Sequence, residues 1–396
     1  MCDRSARRHF GRCVATRQAF EGNMQQRLNI RSARVRSVQT VFVLSAFALM
    51  SFPQAQQPAH KYDFNDAHVH LTNYIQEGPS VRDFLTLMGN KVGRSALFGI
   101  PFQQQWSYRV TGDRAPGYYL ESDAKLYYYS FTDAAIARAY LSLSKDEQAR
   151  FDPMITGFNP TDMYAADHIR RVLMTFPGVF CGIGEFTIHK EFVSGKVAGD
   201  VASLLDPALD RLLDFAEESG LLVNIHNDID VPFAKPDAPS MYLEEMKALL
   251  RRHPGTTIIW AHTGLGRVIH PIQKHAAMLA DILHDPEFKH VDFDISWDEV
   301  AKYVTASPES LKISADLFNR YPDRFLFGTD ALAPRTEEAY FKTYRDYGPL
   351  WPLLTKETRE KLLKTNYERV FDEATRRVRA WEAAHVASPS AVTSQR

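Results

Sequence analysis

The stretch DPALDRLLDFAEESGLLVNIHND, residues 206–228, decides how the chain is to be read. Its first part carries apolar residues at helical spacing, and after one glycine comes a short apolar run, LLVNIHND (221–228), with a histidine near its end. A helix feeding a buried strand is half of a parallel βα repeat. The same unit recurs on both sides. Upstream lie FNDAHVHL (64–71), RSALFGIP (94–101), FDPMITGFNP (151–160) and VFCGIGEFTI (179–188), and downstream TTIIWAHTG (256–264), HVDFDIS (290–296) and RFLFGTD (324–330). Amphipathic stretches such as AADHIRRVLMTF (165–176) and MYLEEMKALLRRH (241–253) separate most of them. Eight strands, most followed by a helix, predict an α/β chain folded as a (β/α)8 TIM barrel. No G-x-G-x-x-G or G-x-x-x-x-G-K-[ST] follows any run, so the doubly wound nucleotide-binding fold lacks its best signal.

Two regions depart from the alternation. The connection after strand 2, residues 102–149, is long and aromatic, with FQQQWSYR, GYYLES and KLYYYSF; connections of that length are commonly lids or binding loops, and a helical insertion packed on the barrel is the other reading. A helical tail beginning at ETREKLLK (357–364) closes the chain. The expected domains are a targeting segment over 1–55, the barrel over 56–385 and a disordered tail over 386–396.

The targeting segment rests on Arg27, Arg31, Arg34 and Arg36 ahead of VFVLSAFALMSF (41–52). That run is short for a bilayer span, and the small Ala55 follows it, which is the pattern of a cleaved secretory signal. A single membrane anchor or a buried helix is the alternative. Met24 is a natural start for such a signal, which makes 1–23 an extension. Nine of the 47 Lys/Arg but two of the 48 Asp/Glu lie in 1–55, so the mature chain is net acidic and poorly suited to nucleic acid or anionic lipid. The expected location is periplasmic or secreted. The expected partner is a small-molecule substrate, with no stable membrane association after cleavage, and a homodimer is compatible with the sequence. Of the three cysteines, Cys2 and Cys13 fall in the leader, and Cys181 alone cannot build a disulfide framework.

In a barrel of this kind the chemistry gathers at the C-terminal ends of the strands. His68 and His70 end the first run, Glu185 is late in the fourth, His226 ends the fifth, His262 the sixth and Asp330 the eighth. Side chains two apart on a strand share a face, so His68 and His70 point together into the barrel mouth. Any one of these residues is unremarkable as a satisfied polar group. Four histidines and two carboxylates at one end of one barrel are costly to bury unless they bind something. Imidazole and carboxylate donors without thiolate suit a divalent ion with an open position, zinc first, with manganese, iron or nickel also fitting. His189, just past the fourth strand, and Arg109 and Trp106 in the insertion are the candidate substrate contacts.

These residues resemble the amidohydrolase superfamily, in particular its amidohydrolase-related (amidohydrolase 2) branch with the amino-carboxymuconate-semialdehyde decarboxylases. DAHVH, GIGEF, NIH, WAHTG and FGTD are similar, in that order, to the branch's strand-end motifs, and KTNYERVF (364–371) to its closing helix. The resemblance implies that His68, His70, His226 and Asp330 bind metal, that His262 serves as acid/base or polarises the substrate, and that Asp330 also accepts a proton. Binuclear relatives bridge two metals from the fourth strand, a place taken here by Glu185, so one or two ions per chain are both compatible. Three functions follow: a metal-dependent hydrolase of an ester, lactone or amide, favoured by secretion; a non-oxidative decarboxylase; or an inactive barrel that binds a solute through Trp106, Tyr108 and Tyr127.

Overall fold

A computed structural model describes residues 61–73, 76–100, 103–104, 126–127, 131–191, 203–235, 238–271 and 274–386. The targeting segment, most of the aromatic insertion and all but the first residue of the expected tail lie outside the described residues. The strands are β1 (Phe64–Asp66), β2 (Val69–His70), β3 (Val92–Leu97), β4 (Gln103–Gln104), β5 (Leu126–Tyr127), β6 (Phe151–Ile155), β7 (Gly182–Thr187), β8 (Leu222–His226), β9 (Ile258–Trp260), β10 (Val291–Asp294), β11 (Phe325–Leu326) and β12 (Ala331–Leu332). Eight of them form one sheet in the order β1-β3-β6-β7-β8-β9-β10-β11, every pairing parallel. The ends meet where Ala67 N–H donates to the Phe327 carbonyl at 3.0 Å and β2 runs parallel to β12. The fold is the expected (β/α)8 barrel.

The helix at Pro207–Ser219 shows why the decisive stretch folds as read. Asp206 caps it by accepting the Ala208 N–H at 2.9 Å, proline opens the first turn, and Gly220 ends it at φ 77°, the asymmetry that helix termini favour. Leu209, Leu212, Leu213 and Ala216 form its buried stripe, and fully burying a leucine is worth roughly 1.5–3 kcal/mol. β8 follows, buried on every residue.

Several strands are shorter than the apolar runs suggest. The first run breaks after Asp66, because the Asp66 carboxylate turns back to accept the N–H groups of His68 (3.2 Å) and Thr329 (2.8 Å) and the Thr329 hydroxyl (2.7 Å). That buried aspartate ties the first strand to the segment after the last one. WAHTG is a strand end followed by a tight turn, with His262 at φ 56° and Thr263 at φ 53°. Within the 102–149 connection, Thr132–Leu141 and Lys145–Gln148 are helices, and Gln103–Gln104 pairs antiparallel with Leu126–Tyr127. The connection's last part is therefore helical.

The helical tail does more than close the alternation. Tyr367, Val370, Phe371 and Ala374 from the helix Asn366–His385 cluster with Ala96, Met154, Leu222, Ile259 and Leu326 from the strands and with Ala67 just past β1. Asn366 fixes its start by donating to the Pro322 and Phe325 carbonyls, both at 2.8 Å. Among the described residues no helix is long and apolar enough to cross a membrane.

Gly184, directly before Glu185, makes a tight backbone approach. Its φ is 113°, and a Cβ there would overlap the Asn224 carbonyl on β8. Gly184→Ala must part β7 from β8, and we expect it to cost more than about 4 kcal/mol, seen as loss of folded protein in a urea titration; a near wild-type midpoint would contradict this packing.

Candidate metal centre

The stretch from β1 through β2, with the ends of β7 and β8 and the segments just after β9 and β11, brings six predicted residues to one place. His68 and His262 are 0 % exposed, His226 1 %, Glu185 2 % and His70 3 %; the Asp330 side chain is 11 % exposed. Glu185 lies at the centre. Its Oε1 is 2.6 Å from His226 Nδ1 and 3.3 Å from His262 Nε2. Its Oε2 is 3.4 Å from His70 Nε2 and 3.8 Å from His68 Nε2. Asp330 Oδ1 is 3.3 Å from His70 Nε2 and 3.4 Å from His68 Nε2, and its Oδ2 is 3.9 Å from His262 Nε2. Two donor sets result: His68, His70 and Asp330 around one oxygen of Glu185, and His226 and His262 around the other. Three overlapping groups have ligand atoms within 4.8 Å of one another: His68, His70 and Glu185; Glu185, His226 and His262; and His68, His262 and Asp330, the last reaching across the two sets. The resemblance implies His226 as a ligand with His68, His70 and Asp330; in the structure His226 Nδ1 and His262 Nε2 both face Glu185 Oε1.

The donors fit a divalent ion. His68 Nε2 and His262 Nε2 are both buried with no hydrogen-bond partner, an expensive condition for a polar atom. The opposite ring atoms are held. His70 Nδ1 is 2.7 Å from the Gly99 carbonyl, which can only accept, so Nδ1 carries the hydrogen and Nε2 presents a lone pair. His68 Nδ1 donates to Asp294 Oδ2 at 3.0 Å, and His226 Nε2 faces Asp228 Oδ1 at 3.0 Å. Such outer contacts fix a histidine's orientation toward a metal.

Asp294 is the residue that sequence reading missed. Besides His68 it accepts the His262 N–H at 2.9 Å through Oδ1, holding the left-handed turn in which His262 lies. Its signal was present: HVDFDIS ends its strand with a carboxylate on the side of the sheet where the other ligand residues gather. Lys190 was also passed over. Its Nζ is 3.5 Å from Glu185 Oε1 and 5.5 Å from the centre of the Trp297 ring, which also packs against His262 with ring centres 5.1 Å apart.

Charge is strongly redistributed. Burial opposes the charged ring of His68, but Asp330 and Asp294 outweigh it and lift its pKa well above the ordinary value. His70 and His226 are raised as well, burial again being overcome, for His70 by Asp330 and Glu185 and for His226 by Glu185 and Asp228. Burial pushes His262 down. Burial would raise Glu185 and Asp330, yet Lys190 and His226 hold the first low, and His68, His70 and His262 hold the second low. The raised pKa values mean that His68, His70 and His226 hold protons to higher pH than ordinary histidines when no ion is bound, and ion binding competes with those protons. We expect ion loading to release protons and to weaken as pH falls, measurable by calorimetry in buffers of different ionisation enthalpy; heats independent of the buffer would contradict this. The raised histidines stabilise the metal-free fold below the ordinary histidine pKa, a contribution lost as pH rises through their raised values. The Tm gain on metal loading should therefore widen with pH.

His189 stands apart from the cluster. Its ring stacks on Tyr242 with centres 3.7 Å apart, Nδ1 is buried without a partner, and burial lowers its pKa to about 4. Trp106, Tyr108 and Arg109 lie outside the described residues, as does the Tyr127 side chain.

The chain is similar to a candidate 2-pyrone-4,6-dicarboxylic acid hydrolase from Pseudomonas putida, at 14% identity over 78% of this chain and 98% of that one, TM-score 0.48. It is similar to an amidohydrolase from Burkholderia multivorans at 12% identity over 78% and 99%, TM-score 0.47. A 2,6-dihydroxybenzoate decarboxylase from Rhizobium matches at 12% identity over 78% and 99%, TM-score 0.44. No curated protein matches the sequence. The amidohydrolase family model spans residues 65–372, from just before the paired histidines to the helix that closes the barrel floor, and the chain belongs to that family.

Proposed function

We propose that this chain is a metal-dependent hydrolase that opens an ester, lactone or amide of a small molecule, with two divalent ions bound. The observation that carries the reading is Glu185, which directs one oxygen to His68 and His70 and the other to His226 and His262. Zinc is the first candidate, with manganese, iron or nickel compatible with the same donors. Bound ions of this kind supply Lewis acidity toward a carbonyl and acidify water.

The chain supplies the rest. Asp330, ionised and 3.9 Å from His262 Nε2 by its outer oxygen, accepts the proton of the attacking water and passes it toward the leaving group. Trp297 walls the histidines, with Lys190 over its ring at 5.5 Å and Arg267 at 5.7 Å, so anionic or polarised substrate groups meet a cationic rim. The leader-like 1–55 supports an exported, scavenging role, with a small molecule as the partner.

The test is a panel of lactones and esters followed by proton release and of amides followed by amine release, beside carboxylated aromatics followed by CO2 release, using zinc- or manganese-loaded protein. Chelator-sensitive hydrolysis of the first group supports the proposal. CO2 release without hydrolysis would assign the site to decarboxylation instead.

A further inference from the structure

Ser296 lies two residues beyond the end of β10, buried at 0 % exposure, and its hydroxyl oxygen is surrounded by three groups. Asp294 Oδ1 is 2.5 Å away, His262 Nδ1 2.9 Å and His68 Nδ1 3.2 Å. A serine hydroxyl has one hydrogen to give and lone pairs to accept with. An ionised aspartate can only accept, and the shortest of the three contacts goes to it, so the hydroxyl hydrogen points at Asp294. What remains on Ser296 Oγ is acceptor capacity, and His262 Nδ1 must therefore bring the hydrogen to that contact.

On the other side of the ring, His262 Nε2 has Glu185 Oε1 at 3.3 Å and Asp330 Oδ2 at 3.9 Å, neither in well-formed hydrogen-bond geometry. With the hydrogen on Nδ1, the Nε2 lone pair faces the space between the two carboxylates, where a cation would be held.

We infer that Ser296 is a positioning residue that holds His262 with its hydrogen on Nδ1, so that Nε2 enters the second donor set as a lone pair and not as a proton donor. This rests on the two-set reading of the proposed function. It moves His262 from the acid/base role to that of ligand and leaves proton transfer to Asp330. Because Ser296 Oγ also touches His68 Nδ1, one hydroxyl ties together a histidine from each set.

The test uses the full chain, stripped of metal and labelled with 15N-histidine, at alkaline pH where the rings are neutral. Long-range 1H–15N spectra, with His262 assigned by the signal lost in His262→Gln, should show a protonated Nδ1 and a bare Nε2. Ser296→Ala should shift that ring toward hydrogen on Nε2, and Ser296→Thr, which keeps the hydroxyl, should restore the wild-type pattern. A protonated Nε2 in the wild type, or an unchanged ring in Ser296→Ala, overturns the inference. In metal titrations Ser296→Ala should weaken ion binding by about 10–100-fold and Ser296→Thr should not; unchanged binding in Ser296→Ala overturns it. The tautomer is read without metal, so it stands or falls independently of the number of ions bound. Should Ser296→Ala fail to fold, the wild-type and Ser296→Thr spectra still decide.

Discussion

Replacing both His68 and His70 with alanine should abolish ion binding to the first donor set and remove measurable hydrolysis. Both Nε2 atoms lie 3.3–3.4 Å from Asp330 Oδ1 and both approach Glu185 Oε2, so the variant leaves two carboxylates with no histidine to complete the set. A bound ion contributes several kcal/mol of charge stabilisation in the transition state, and a loss of about 5 kcal/mol is a fall of roughly 10³–10⁴-fold in rate. The barrel should survive, because its core does not depend on these rings. Some stability will still be lost: without His68, Asp294 Oδ2 loses a buried donor, which costs about 1–3 kcal/mol. Metal content, kcat/KM and the urea midpoint should be measured on the same preparation. Wild-type turnover in a variant whose measured metal content is zero would refute metal dependence itself.

Glu185→Gln is the second large expectation, and it separates the two sets. Glutamine keeps the side chain's size and one acceptor oxygen but not the charge that faces both sides. The first set retains two histidines and Asp330, whereas the second retains only His226 and His262. We expect one ion where the wild type holds two, with activity reduced on the order of 10³-fold. The change also removes a negative charge that raises the pKa of both His226 and His70, so ion loading of the variant should release fewer protons than that of the wild type. A variant that keeps two ions would show that Glu185 does not link them.

Much of this was legible in the sequence because the barrel is built from local signals. Residues 206–228 announce a helix and a buried strand in their own spacing, and the same signature repeats along the chain. The ligand residues were legible for a related reason: strand ends at one face of a barrel are neighbours in space however far apart in sequence. His68 and Asp330 stand 262 positions apart yet 3.4 Å from each other. What the spacing could not carry is how side chains turn once assembled. The division of six residues into two sets depends on which oxygen of Glu185 faces which ring. Asp294 and Ser296 look like an ordinary strand end, and their importance appears only when His68 and His262 are found hydrogen-bonded to them. Asp66 likewise reads as one polar residue on a strand, and only its bonds to His68 and Thr329 explain why that strand breaks.

The most direct measurement is the number of divalent ions per chain, by mass spectrometry on purified protein loaded with zinc or manganese and then desalted. Two donor sets sharing Glu185 predict near two equivalents, falling to near one in Glu185→Gln. A wild-type value of one or none would contradict the account.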